Sequence, residues 1–133
     1  MLEKIDHIGV AVRDLESAVA RYTVITGHPP ERFEEVAEQK VRVAMFSVGE
    51  SRIELLQATS PDSPIAKFID KRGEGMHHVC FKVSDLKAAL ARLASEGMEI
   101  LPGAGGVGAD GSRVAFLRPK SGNGVLIELV ERT

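Results

Sequence analysis

The chain repeats itself. Gly75-Met76-His77-His78-Val79-Cys80-Phe81-Lys82-Val83-Ser84-Asp85 restates Asp6-His7-Ile8-Gly9-Val10-Ala11-Val12-Arg13-Asp14 at an offset of 71 residues, His7 falling on His78 and Asp14 on Asp85. Leu15, Ala18, Ala20 and Arg21 then fall on Leu86, Ala89, Ala91 and Arg92, and Val43-Ala44-Met45-Phe46 on Val114-Ala115-Phe116-Leu117. Ile53-Glu54-Leu55 matches Ile127-Glu128-Leu129 at an offset of 74, which places three extra residues in the last connection of the second copy. Two copies of about 65 residues are each marginal alone, so the repeat predicts modules that share a core within a single 133-residue domain, module 1 about 1–72 and module 2 about 76–133.

Within each copy the periodicities alternate in the same order. Ile5 to Val12 alternates with period two, which predicts a strand with Ile8, Val10 and Val12 on one face and His7, Gly9 and Ala11 on the other. Asp14 caps a predicted helix bearing Leu15, Ala18, Val19 and Tyr22, with Gly27 as its stop. After Pro29-Pro30 the charged run Glu31 to Gln39 is a connection or a ragged edge strand. Lys40 to Val48 and Arg52 to Ala58 form a predicted hairpin about Gly49-Glu50-Ser51. Ser63-Pro64 opens a short helix with Ile65, Phe68 and Ile69, ending at Gly73. The second copy predicts a strand over His78 to Val83, a helix from Asp85 to a stop at Gly97, a strand over Glu99 to Leu101, and a hairpin of Arg113 to Leu117 with Val125 to Val130. Each module is thus strand, helix and three strands. The stretch Pro102 to Gly111 is too glycine-rich for a core and predicts a long loop or a flap over a site. It lacks the Gly-Lys-Ser/Thr ending of a phosphate loop and joins no strand to a long helix.

Composition sets the remaining bounds. Hydrophobic content of 44% with 27% charged residues is that of a globular chain, and a formal charge of −2 gives no electrostatic case for nucleic acid or an anionic membrane. No apolar run approaches membrane-spanning length, and Met1 to Asp6 lacks the apolar core of a signal peptide. With the lone Cys80, these features lead to the expectation of a cytoplasmic protein.

The repeat also carries chemistry. A single strand histidine is most often a hydrogen-bonded core residue, and a single strand glutamate most often faces solvent. Here each copy has a histidine near its start, His7 and His78, and a glutamate embedded in apolar strand near its end, Glu54 and Glu128. An inward carboxylate is costly unless it is paired or metal-bound. If the modules join about a pseudo-twofold, two imidazoles and two carboxylates fit an octahedral divalent site with two positions left for water or substrate.

These residues resemble the vicinal oxygen chelate superfamily and, within it, the methylmalonyl-CoA epimerase family. The likeness is carried by Asp6-His7-Ile8, Ile53-Glu54-Leu55-Leu56, Asp62-Ser63-Pro64-Ile65-Ala66, Gly75-Met76-His77-His78 and Pro119-Lys120-Ser121-Gly122 through Gly124-Val125-Leu126-Ile127-Glu128-Leu129. The resemblance implies an α+β fold, two tandem βαβββ modules forming an eight-stranded, cleft-like mixed sheet. It implies His7, Glu54, His78 and Glu128 as ligands of one divalent ion, Co²⁺ first, with Ni²⁺, Mn²⁺, Zn²⁺ and Mg²⁺ as alternatives. His77 then points across the strand. Some members of that family have glutamine where this chain has Glu54, and a glutamate regarded as a base where this chain has Val43, so the carboxylate has in effect moved. The implied activity is epimerisation of an acyl-CoA of propionate metabolism, with Glu54 and Glu128 as ligands and bases and Lys120 meeting a CoA phosphate. A homodimer is expected from the exposed sheet edges. The rivals are a glyoxalase I-type lactoylglutathione lyase and a metal-free binding module of the drug-resistance kind, which has no need of four ligands.

Overall fold

Strand β1 spans Leu2–Ala11, starting three residues before the predicted alternation, and Asp14 then caps helix α1 (Leu15–Thr26) by accepting from the Glu16 amide. The computed structural model describes residues 2–108 and 111–132. It falls into two units, His7–His77 and Met1–Asp6 with His78–Thr133, so that β1 contributes to both. Among the described residues the class is α+β, with eight strands and three α-helices.

In the first unit, β2 (Arg32–Val36), β3 (Val41–Val48) and β4 (Ser51–Ala58) follow α1, and the strands lie in the order β2-β3-β4-β1. The charged run at 31–39 therefore does contain the edge strand, followed by a 3₁₀ turn at Ala37–Gln39. β2, β3 and β4 pair antiparallel, whereas β1 pairs parallel with β4, His7 opposite Arg52 and Gly9 opposite Glu54. Helix α2 (Pro64–Arg72) is capped by the Ser63 hydroxyl, which accepts from the Ile65 amide, and buries Ile65 and Ile69.

The second unit repeats this plan with β5 (Gly75–Val83), α3 (Leu86–Ser95), β6 (Gly106–Val107), β7 (Arg113–Leu117) and β8 (Ile127–Glu131), in the order β5-β8-β7-β6. The register repeats pair by pair. Gly9 opposite Glu54 becomes Cys80 opposite Glu128, and Met45 opposite Glu54 becomes Phe116 opposite Glu128. The extra residues lie between β7 and β8, where a 3₁₀ turn at Pro119–Gly122 replaces the tight Gly49-Glu50 turn.

One predicted strand is corrected. Glu99 to Leu101 makes only an isolated bridge, Ile100 to Leu117, and the short third-layer strand β6 lies inside the glycine-rich stretch. There Gly106 and Val107 pair with Val114 and Arg113. Gly105, at a φ of +87°, turns the chain into that ladder. Part of the stretch expected to be a long loop or flap is thus paired as a sheet edge, while Ala109 and Asp110 lie outside the described residues.

Period-two alternation sorts each sheet into two faces. In the first unit Val10, Val12, Ala44, Phe46, Ile53 and Leu55 pack against Leu15, Ala18, Val19 and Tyr22 of α1. In the second, Phe81, Val83, Ala115, Ile127 and Leu129 pack against Leu86, Ala89, Leu90 and Leu93 of α3. Burying each larger aliphatic or aromatic side chain contributes roughly 1.5–3 kcal/mol, which holds each helix on one face. The other face of each sheet is the one that carries the histidine and the glutamate.

The repeat extends to a cap that the alternation does not reveal. The Leu15 amide, in the first turn of α1, donates to Gln57 Oε1 at 2.6 Å, and the Leu86 amide of α3 donates to Glu131 Oε1 at 2.7 Å. Residues 57 and 131 are themselves equivalent in the repeat, so each final strand satisfies an amide that its helix leaves without an intrahelical partner. Gln57→Ala should lower stability by roughly 0.5–1.5 kcal/mol, and Glu131→Ala by up to roughly 3 kcal/mol because its acceptor is charged and sits at a helix N-terminus. Urea unfolding of both variants checks the order, and a Glu131→Ala protein as stable as the wild type contradicts it.

Candidate metal centre

His7 and Glu54 are brought together by the parallel β1–β4 pairing. His7 stands opposite Arg52, and Glu54 lies two residues farther on, hence on the same face. His7 is 4% exposed and Glu54 3%, so the predicted inward carboxylate is confirmed. His7 Nδ1 lies 3.4 Å from Glu54 Oε2, and Arg52 Nη2 approaches the same oxygen at 3.3 Å. Two donor atoms about 2.1 Å from one ion and at right angles to each other stand about 3 Å apart, so the imidazole and carboxylate are spaced as neighbouring ligands would be. On β3 the same face carries Val43 and Met45, both fully buried, so position 43 holds no acid and the carboxylate there is Glu54 of the adjoining strand.

The second unit builds its own pair by the same register. His78 Nε2 lies 2.9 Å from Glu128 Oε1, and both residues are buried. Phe116, the counterpart of Met45, meets the His78 ring edge-on at a centroid distance of 6.0 Å and an interplanar angle of 80°. Below it, Cys80, Val114 and Val130 fill the same face. The neighbouring His77 points the other way, as expected, and stacks edge-on against Phe68 at 4.9 Å in the first unit. Lys120 lies exposed in the 3₁₀ turn between β7 and β8.

Two features escaped the sequence reading. Arg52 opens a predicted strand, and the spacing Arg52-Ile53-Glu54 sets cation and carboxylate on one strand face. The other is the clamp on the residue before His7. Arg132 Nε donates to Asp6 Oδ1 at 2.9 Å and Arg132 Nη2 to Oδ2 at 2.6 Å, a two-pronged pair on a carboxylate that is 4% exposed. Its signal in the sequence is a late arginine, distant by most of the chain, which no local pattern connects to Asp6.

The chain resembles known proteins over nearly its whole length. Residues 6–116 match the Glyoxalase/Bleomycin resistance protein/Dioxygenase superfamily. The ethylmalonyl-CoA/methylmalonyl-CoA epimerase of Cereibacter sphaeroides is 37% identical over 131 residues, 97% of this chain and 98% of that protein. The human mitochondrial methylmalonyl-CoA epimerase is 38% identical over 129 residues, 96% of this chain and 73% of that protein. A variant of the Streptomyces coelicolor methylmalonyl-CoA epimerase, solved with 2-nitronate-propionyl-CoA, superposes with a TM-score of 0.95 at 38% identity, covering 100% of this chain and 96% of that one. The chain belongs to the glyoxalase, bleomycin-resistance and dioxygenase superfamily, and within it to the methylmalonyl-CoA epimerase family.

Because the Asp6 carboxylate is buried and its partner only partly so, Arg132→Ala should cost less than the roughly 3–5 kcal/mol of breaking a fully buried pair, about 2 kcal/mol. Denaturant unfolding measures it. A loss below about 0.5 kcal/mol would show the clamp to be a surface ion pair in effect.

Proposed function

We propose that this chain is a methylmalonyl-CoA epimerase, interconverting the (2R) and (2S) thioesters by removing and returning the proton on the carbon between thioester and carboxylate. The observation that carries the reading is the duplicated, buried histidine–glutamate pair, His7 with Glu54 and His78 with Glu128, in a chain similar over nearly its whole length to epimerases of that name. One such pair is explained by a hydrogen bond alone. Two at equivalent positions are better explained by a common ligand, and we assign all four residues to one divalent cation, Co²⁺ first among the metals that such a donor set accepts. The one-domain organisation, modules about 1–72 and 76–133, belongs to the same proposal.

Inversion requires the proton to leave one face of the reacting carbon and arrive at the other. A divalent cation, when bound, supplies positive charge where the thioester oxygen becomes negative. The carboxylates of Glu54 and Glu128 do the proton work, one for each face. A positioned general acid or base contributes roughly 10²- to 10⁴-fold, and inversion uses two, one taking the proton from one face and the other returning a proton to the opposite face. His7 and His78 complete the donor set, each beside its glutamate. Val43 supplies no third carboxylate, which leaves the base assignment to this pair. Lys120, exposed beside β8, is assigned to a phosphate of the CoA moiety. The ligand of the Streptomyces coelicolor protein, 2-nitronate-propionyl-CoA, supports an acyl-CoA as the substrate class. A cytoplasmic homodimer acting in propionate metabolism completes the assignment. Among the described residues no helix is long and apolar enough to cross a membrane.

The direct test is incubation of each methylmalonyl-CoA epimer with Co²⁺-loaded protein in D₂O. Inversion with deuterium taken up at the reacting carbon is expected, and a protein that instead isomerises a glutathione hemithioacetal, leaving both CoA epimers untouched, would be a lyase of the glyoxalase kind. Glu54→Gln should keep cation while losing at least about 10²-fold in kcat, with deuterium uptake from one epimer falling far more than from the other. Near wild-type exchange from both epimers would reduce Glu54 to a ligand.

A further inference from the structure

The two pairs are alike in register but not in what stands beside them. In the first unit Arg52 is only 16% exposed in its side chain, and its guanidinium is held between two groups of the same sheet face. Nη1 meets the Sδ of Met45 at 3.5 Å, and Nη2 meets Glu54 Oε2 at 3.3 Å. Met45 is fully buried and sits directly opposite Glu54 across the β3–β4 ladder, while Arg52 sits directly opposite His7 across the β1–β4 ladder. The guanidinium is thus held between β3 and β4 beside the His7–Glu54 pair. The repeat puts Leu126 at the equivalent place in the second unit, next to Glu128, and Leu126 carries no charge.

We propose that Arg52 is a positioning residue for Glu54, fixing the rotation of its carboxylate and so making the two glutamates of the site inequivalent. A carboxylate on a glutamate side chain turns readily about its last bond, and a planar guanidinium pinned on its far side stops that rotation in one orientation. In the second unit the Glu128 carboxylate meets His78 Nε2 at 2.9 Å, and the His78 ring meets Phe116 edge-on. Glu54 thus faces a guanidinium as well as the imidazole of His7, whereas the residue equivalent to Arg52 beside Glu128 is Leu126. Because the site must handle two mirror-related faces of one carbon, a difference between its carboxylates is a difference between the two directions of proton transfer. The inference rests on the assignment of Glu54 as a ligand.

Arg52→Leu, which copies the second unit into the first, and Arg52→Lys, which keeps the charge without the planar fork, test it. Titration calorimetry with Co²⁺ alone, without substrate, should give a dissociation constant 10- to 100-fold weaker for Arg52→Leu, the range found when an outer partner of a metal ligand is removed. Arg52→Lys should recover part of that loss. At saturating Co²⁺ the KM of Arg52→Leu for methylmalonyl-CoA should stay within about twofold of wild type, while deuterium uptake slows more from one epimer than from the other. An unchanged Co²⁺ affinity in Arg52→Leu overturns the proposal. So does an equal loss in both variants that tracks a lowered melting temperature of the metal-free protein, since Arg52 would then act on folding alone. His78→Ala is titrated in parallel. If it still binds Co²⁺ as wild type does, the ligand assignment falls and this inference with it, whereas a His78→Ala protein without Co²⁺ beside an unaffected Arg52→Leu protein overturns only the role of Arg52.

Discussion

A carboxylate buried in a β-sheet must have a partner, and in this chain the partner is supplied by strand register. The parallel pairing of β1 with β4, and of β5 with β8, sets a histidine of the first strand of each module beside a glutamate of the last. Slipping either ladder by one residue would turn the glutamate onto the helix-covered face, among Ala44 and Phe46 in one unit or Phe81 and Ala115 in the other. Burial of an unpaired carboxylate there would cost several kcal/mol, so the hydrophobic packing under α1 and α3 and the pairing of His7 with Glu54 and His78 with Glu128 enforce the same register.

That coupling explains how much could be read in advance. The offset of 71 residues, the period-two alternation and the caps at Asp14, Ser63 and Asp85 are local signals, and they located the strands, the helices and the face shared by His7 and Gly9. Glu54 and Glu128 were legible because a charge inside an apolar strand run is conspicuous. What escaped were interactions closed by distant chain. Gln57 and Glu131 reach helix amides that no local pattern links to them, and Arg132 reaches Asp6. The strand expected at Glu99 to Leu101 failed for a different reason. A glycine-rich segment has weak intrinsic preference for a strand, yet Gly106-Val107 is the segment that the β7 edge accepts, because the backbone of β7 offers its hydrogen bonds regardless of composition.

Duplication also frames the chemistry. A gene-level repeat would produce two identical half-sites, but an epimerase acts on a carbon whose two faces differ. Small departures from the repeat, Met45 against Phe116 and Arg52 against Leu126, fall beside the two glutamates while both histidines and both glutamates are kept. The departures from the scaffold's symmetry thus lie beside the two histidine–glutamate pairs. With valine at position 43, the mechanism we propose rests on the same two carboxylates that we assign as ligands.

The central claim is that two histidine–glutamate pairs, one from each module, serve a single ion. X-ray absorption on protein loaded with one equivalent of Co²⁺ tests it most directly, because imidazole rings scatter distinctively and can be counted. The account predicts two imidazoles with oxygen donors completing a six-coordinate shell, falling to one imidazole in His7→Ala. A shell with one imidazole or none in the wild-type protein would contradict it.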